Sequence, residues 1–173
     1  IIARFAYFTE KVTRKALTNP KMAGIITTLI VVMTSFLVTL AIIRGLSWVH
    51  PWLGFAASIF LIYTTLSVRS LFEESRPVLQ HLKEKNIDKA RECLSRIVGR
   101  DTTHLKEDEI VRATVETVAE STVDGIIAPL FFAVLGGAPV AIAFKSINTM
   151  DSLFGYKSEI YKDFGWAPAR LDD

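Results

Sequence analysis

Residues 23–43, AGIITTLIVVMTSFLVTLAII, carry no charged side chain over 21 positions. At ~1.5 Å of rise per residue, a helix of that length crosses the hydrocarbon core of a bilayer, whose thickness is ~30 Å. A soluble fold would have to bury every face of it, so the segment reads as a membrane span. A second run, 45–68, GLSWVHPWLGFAASIFLIYTTLSV, lies uncharged between Arg44 and Arg69. Trp48, Trp52 and Tyr63 belong to the residue types that anchor spans at the interface, and Pro51 marks the start of the second span, 51–68. The expected fold class is all-α, a multi-pass integral membrane protein with a polar helical segment. Two buried helices in a soluble α protein are the alternative, disfavoured by basic flanks and by polar stretches outside both runs.

Charge sets orientation. Arg4, Lys11, Arg14, Lys15 and Lys21 precede the first span against Glu10 alone, whereas the turn between spans holds only Arg44. The positive-inside rule then puts the amino-terminal side in the cytoplasm, and the two spans return the chain there at Arg69. Net charge is +2 and, beyond the first 22 residues, basic and acidic side chains are interspersed, so a nucleic-acid-binding face is excluded. The single Cys93 excludes an internal disulfide and a multi-cysteine metal site. Residues 1–22 have neither an initiator Met nor the pattern of a signal peptide, and the expected reading is a chain whose start lies further upstream.

In 69–125, Asn86 is placed to cap a helix with Ile87, Ala90, Leu94, Ile97 and Val98 at helical spacing, stopping at Gly99. A second helix is expected from a cap at Thr102 or Thr103, with Glu107, Asp108 and Glu109 in its first turn and Gly125 beyond its end. Ile110, Val111, Thr114 and Val118 share one side of it, and Arg112, Glu116 and Glu120 recur every four residues on the other, with Glu109 beside them. Residues 126–144 are apolar but interrupted by Pro129, Gly136, Gly137 and Pro139. Such a backbone fits either a re-entrant hairpin or a kinked span packed on its neighbours.

Two polar clusters bracket the interrupted segment. Arg100, Asp101, Arg112, Glu116, Glu120 and Asp124 precede it; Lys145, Asn148, Asp151, Lys157, Arg170, Asp172 and Asp173 follow it. An Arg112–Glu116 pair alone is an ordinary solvated helix pair, but further carboxylates at Glu120 and Asp124 repel unless a cation lies between them. The stretch 145–173 contains Gly155, Gly165 and Pro168 together with Asn148, Asp151 and Ser152, which predicts shaped loops. There is no G-x-x-x-x-G-K-S/T, no G-x-G-x-x-G and no H-E-x-x-H, and His50, His81 and His104 stand apart.

Residues 98–173 carry VGRDT, then EIVRATVETVAESTVDGIIAPLFFAVLGGAPVAIAFKSINTMDSLFGYKSEIYKDFGWAPARLDD. These blocks resemble the CobD/CbiB family of adenosylcobinamide-phosphate synthases, multi-pass membrane proteins of cobalamin biosynthesis. Ser121 departs from the family pattern, where Asn is usual. Residues 1–97 match it in layout, and the pattern continues past LDD, so the resemblance implies a chain lacking both ends. It implies ATP-dependent condensation of adenosylcobyric acid with an aminoalcohol phosphate, (R)-1-aminopropan-2-yl phosphate, at the cytoplasmic face of the cell's inner membrane, with Mg²⁺ as cofactor and oligomerisation left open. A carboxylate is a poor electrophile, so ATP would convert it to an acyl phosphate, cations would offset phosphate charge and a base would take the amine's proton. By this resemblance Glu116, Glu120, Asp124 and Asp151 are the catalytic candidates, with Glu120, Asp124 and Asp151 as Mg²⁺ ligands. Arg100, Arg112, Lys145, Asn148, Lys157 and Arg170 are the candidates for substrate and phosphate binding. The terminal stretch is expected to fold back over the helix carrying Glu116 and Glu120. An AmpE-like signalling protein without synthase activity and a transporter subunit are the alternatives; the latter fits poorly because both spans lack ionisable groups apart from His50 near an end.

Overall fold

The structure is a computed structural model that describes residues 1–155 and 160–172. All regular structure among the described residues is helical, and three helices are long and apolar enough to cross a membrane. The chain divides into two compact units, Ile1–Thr65 with Pro129–Asp173, and Leu66–Ala128.

In the first unit, α1 (Ile2–Ala16) leads into α2 (Pro20–Val49), where the Asn19 side chain accepts from the amides of Lys21 and Met22 and Pro20 opens the first turn. Leu29, Ile30, Met33, Leu37, Val38 and Ile42 of α2 are exposed, while Ala23, Gly24, Thr27, Thr28, Val31 and Thr39 are buried. Small and hydroxyl side chains inside with large apolar ones outside is the arrangement of a helix whose solvent is lipid. The Thr27 and Thr28 hydroxyls return to the carbonyls of Ala23 and Gly24, and Thr27 also shares a 2.7 Å hydrogen bond with Thr13 of α1. A turn at His50 joins α2 to α3 (Pro51–Thr65), which packs back along it; Gly54 permits the approach, since a Cβ there would collide with Ser47. This helix stops three residues short of the expected 51–68.

The interrupted segment lies in α7 (Ala128–Phe154), broken at Gly136 (φ −150°, ψ 20°) and Gly137 (φ 70°, ψ −165°). Phe132 and Phe144 stack with centroids 4.7 Å apart. A straight helix would separate residues twelve apart by ~18 Å, so the chain bends sharply at the glycine pair. The second arm extends to Phe154, whose ring meets those of Tyr7, Tyr161 and Phe164 at 5.5, 5.3 and 5.3 Å. Residues 145–154 are thus helical and 166–172 form α8 (Trp166–Asp172), where loops were expected: the apolar side chains Met150, Phe154, Phe164 and Ala167 supply a buried face that holds them.

The second unit contains α4 (Val68–Lys83), α5 (Ile87–Ser95), α6 (Glu107–Thr122) and a π-helical turn, Val123–Ile127. Its core is Val78, Ala90, Leu94, Ile110 and Ala113. Asn86 caps α5 as expected, accepting from the Lys89 amide at 3.3 Å. Neither Thr102 nor Thr103 caps α6. That helix begins at Glu107, with the Glu109 carboxylate accepting the Lys106 amide at 2.7 Å, because the Thr102 hydroxyl is committed to the Arg91 carbonyl. Gly125 does not end the helix either: it sits inside the π turn, where its carbonyl accepts the Ser67 amide at 2.9 Å and its lack of a Cβ admits the Ser67 side chain at close range.

Gly137 occupies a backbone region that only glycine adopts without strain. Replacing Gly137 by Ala should therefore cost about 1–3 kcal/mol and lower the thermal midpoint in detergent micelles, whereas Gly45→Ala, in open space on α2, should not lower it. Equal midpoints for the two variants would contradict the left-handed conformation of Gly137.

Candidate functional site

Each unit carries one of the two polar clusters. In the second unit, Arg100 Nη2 donates to Glu116 Oε2 at 3.2 Å, and Arg112 Nε donates to Glu116 Oε1 at 2.9 Å. One carboxylate therefore gathers two guanidinium groups, all three side chains being exposed. The Arg112 hydrogen bond, with that of Arg100 behind it, holds Glu116 below the usual Glu range. The pairs add little stability in water, but they fix the direction of two planar donors.

Arg100 is delivered by the loop between α5 and α6, and that loop is pinned at both ends. The buried Thr102 hydroxyl donates to the Arg91 carbonyl at 3.0 Å, and Arg91 Nε donates to the Leu105 carbonyl at 2.9 Å. Asp101 Oδ1 accepts from both the amide and the hydroxyl of Thr103, at 2.9 and 2.7 Å; the amide first and then the hydroxyl hold its carboxyl below the usual Asp range. Beside the loop is a cleft of about 420 Å³ lined by Asp88, Arg91, Glu92, Arg100, Asp101 and Thr103, among others. Sequence reasoning missed Arg91 and gave Thr102 the wrong task; both contacts join residues more than ten apart, and no local pattern announces them.

Glu120 lies one turn beyond Glu116 and is exposed, and half-buried Asp124 sits on the π turn. A π turn rotates the side chains after it relative to an α register, a distortion common at functional sites.

In the first unit, α7 sets Lys145, Asn148 and Asp151 at spacings of three on its second arm, all half-buried. Lys145 Nζ donates to Asn148 Oδ1 at 3.5 Å, and Asn148 Nδ2 donates to Asp172 Oδ2 at 3.3 Å. The amide thus relays between a cation and a carboxylate drawn from opposite ends of the stretch. Asp172 was part of the sequence cluster but had been given no role. Arg170 is exposed on α8, and Lys157 lies outside the described residues. The platform for this end is α1 and the start of α2: Arg14 lies 4.3 Å from the Phe164 ring centroid and donates to the Ile160 carbonyl at 3.1 Å, and Lys21 lies 4.0 Å from that of Trp166. A Cβ at Gly24 would collide with the Phe164 carbonyl, so only glycine admits this contact.

Among the described residues, no three His, Cys, Asp or Glu side chains form a group that could hold a metal. Mg²⁺ ordinarily keeps several waters and takes a carboxylate or two together with substrate phosphates, with no need of an all-protein cage. The oxygen donors of Glu120, Asp124 and Asp151 are of the type that ion accepts.

A family model described as CobD/Cbib protein matches residues 1–173. The chain belongs to the CobD/CbiB family. The cobalamin biosynthesis protein CobD of Clostridium perfringens (strain 13 / Type A) is 51% identical over 173 residues, 99% of this chain and 55% of that protein. That of Geobacter metallireducens is 48% identical over 164 residues, 95% of this chain and 52% of the relative. The cobalamin biosynthesis protein CbiB of Salmonella typhi is 43% identical over 175 residues, covering 99% and 55%. The chain therefore spans about half the length of these CobD and CbiB relatives. No solved structure matches it.

The pinned loop gives a direct check. Thr102→Val removes a buried hydroxyl bond and should speed amide exchange at Thr103 about fivefold, the equivalent of ~1 kcal/mol, in hydrogen–deuterium exchange. Unchanged exchange would mean that Thr102 does not hold the loop.

Proposed function

We propose that this chain belongs to an amide-forming synthase of cobalamin biosynthesis, embedded in the membrane and joining adenosylcobyric acid to (R)-1-aminopropan-2-yl phosphate at the expense of ATP. The observation that carries the reading is the family match along the whole chain, with relatives named as cobalamin biosynthesis proteins. The side-chain chemistry supports it. Such a reaction handles three substrates that each carry an anionic group, two of them phosphates, and needs fixed cations to gather them and a proton acceptor for the attacking amine.

In this proposal Arg100 and Arg112 are presented by Glu116 as two aligned forks, and a phosphate can take the place of the carboxylate they share. Lys145, oriented through Asn148 and Asp172, supplies a point charge to a second phosphate, with Arg170 and Lys157 as further phosphate contacts. Glu120, Asp124 and Asp151 are the carboxylates available to Mg²⁺, whose chemistry is to neutralise charge developing on the nucleotide phosphates. A carboxylate of this set not engaged by the metal takes the amine proton. The active face is cytoplasmic, where ATP is, and the membrane is the cell's inner membrane.

The test uses the complete protein in membranes with both substrates, Mg²⁺ and ATP, and follows the amide product by mass spectrometry. Glu120→Gln and Asp124→Asn should each insert normally, since neither carboxylate buries apolar area, and should each lower turnover on the order of a thousandfold, or about 4 kcal/mol of transition-state stabilisation. Product formation by both variants at near-normal rates would return these residues to a solvated helix face; no product from the unaltered protein would overturn the reading itself.

A further inference from the structure

The second unit has an apolar seam that its own core does not use. On α4, Val78 and Leu82 turn toward the core shared with α5 and α6, yet Phe72 and Leu79 remain 59% and 53% exposed. On α6, Ile110 and Ala113 are buried while Val111 and Val115 are 46% and 62% exposed. The sequence had placed Val111 with Ile110 on a single side; in the structure that side is split between the core and this seam. Together these side chains line a groove of about 330 Å³ in which Ser75, Arg76 and Thr114 are the only polar residues.

The charge along the α4 side of the groove is ordered, and on α6 the first-turn acid Glu107 lies on the face of Val111 and Val115. Arg69, Arg76 and Lys83 recur every seven residues on α4, a spacing that drifts only ~20° per step, and this row runs along the edge of the Val68, Phe72 and Leu79 strip. The Arg76 guanidinium lies over the Phe72 ring, 5.5 Å from its centroid. Arg69 is bridged to Glu73 at 2.7 Å, and Glu74 and Glu84 face away from the strip. A row of cations beside exposed apolar side chains, with acids beyond them, is the pattern of a helix lying in a membrane interface.

Chain connectivity places α4 there. Only Leu66 and Ser67 separate Thr65, the end of α3, from Val68, so the start of α4 lies within about 10 Å of the end of a membrane helix. The stretch long enough to cross the membrane is Pro51–Lys83, which runs from α3 into α4, and α3 alone is about 22 Å long against a ~30 Å hydrocarbon core. The start of α4 therefore lies within or at the edge of the apolar layer.

We propose that the groove between α4 and α6 is a docking surface for the phospholipid bilayer, with Phe72, Leu79, Val111 and Val115 entering the acyl boundary and Arg76 and Lys83 meeting lipid phosphates. The surface holds the Arg100–Glu116 cluster, carried by the same three helices on another face of α6, beside the membrane. The inference depends on the protein being membrane-embedded and is independent of the synthase reading.

The test uses the full chain in nanodiscs of mixed zwitterionic and anionic phospholipid. In a Cys93→Ala background, an environment-sensitive fluorophore is placed singly at Phe72→Cys, Leu79→Cys and Val115→Cys, and at Glu92→Cys on α5 as the solvent-facing reference. Lipids carrying a quencher near the headgroup should reduce emission at least twofold at the first three sites and leave the reference unchanged, while aqueous iodide should show the opposite order. Adding Arg76→Glu and Lys83→Glu together should remove most of the lipid quenching at Leu79→Cys. Quenching by lipid no greater at the three groove sites than at the reference would overturn the proposal. That holds whether iodide reaches them, which means an open groove, or neither quencher does, which means a protein covers it. Lipid quenching that survives the double charge reversal would overturn the phosphate contacts.

Discussion

Inside a bilayer no water is present to take up an unpaired amide or carbonyl, and this constraint organises the first unit. Each backbone break there must be short. The turn at His50, between the interfacial Trp48 and Trp52, is a single residue, and the bend at Gly136 and Gly137 is two, with Phe132 stacked on Phe144 across it. The same constraint explains why Thr27 and Thr28 face inward: their hydroxyls find carbonyls one turn back, and their small size lets helices approach. Large apolar side chains are then free to face outward, because lipid does not penalise their exposure.

The polar end of that unit depends on this frame. Met150, Phe154 and Phe164 form a buried cluster with Ala6, Ala23 and Val31, so the helix bearing Lys145, Asn148 and Asp151 is set against α1 and α2 by packing. Arg14 closes the assembly from the other side through its stack on Phe164 and its bond to the Ile160 carbonyl. Of the five basic residues before the first span, Arg14 and Lys21 both cover aromatic rings of the terminal stretch. The hydrogen bond from Asn148 to Asp172 ties the two ends of that stretch into one polar group.

Much of the architecture was legible because periodicity and charge are local properties. The uncharged runs, the Asn86 cap and the break at Gly136–Gly137 follow from a few neighbouring residues each. What was not legible is long-range. Thr102 reads as an N-cap because threonine before an acidic turn usually is one, but Arg91 offers its hydroxyl a carbonyl from a different helix. Gly125 reads as a helix stop, but the chain stays helical through a π turn because the Ser67 amide takes its carbonyl. The stretch 145–172 reads as loops because its polar residues dominate the count, whereas Met150, Phe154 and Phe164 decide the outcome. Of the candidate site, the Arg112–Glu116 pair is visible as a four-residue spacing, while the recruitment of Arg100 to the same carboxylate needs the fold.

In the proposed reaction the protein activates a carboxylate with ATP before forming an amide. Adenosylcobyric acid labelled with ¹⁸O in its reacting carboxylate tests this directly. If a phosphoryl group is transferred to that carboxylate and then displaced by the amine, one labelled oxygen must leave with it, and the inorganic phosphate released with each amide should carry ¹⁸O by mass spectrometry. Unlabelled inorganic phosphate at full amide yield, or label in a nucleotide product, would contradict the account.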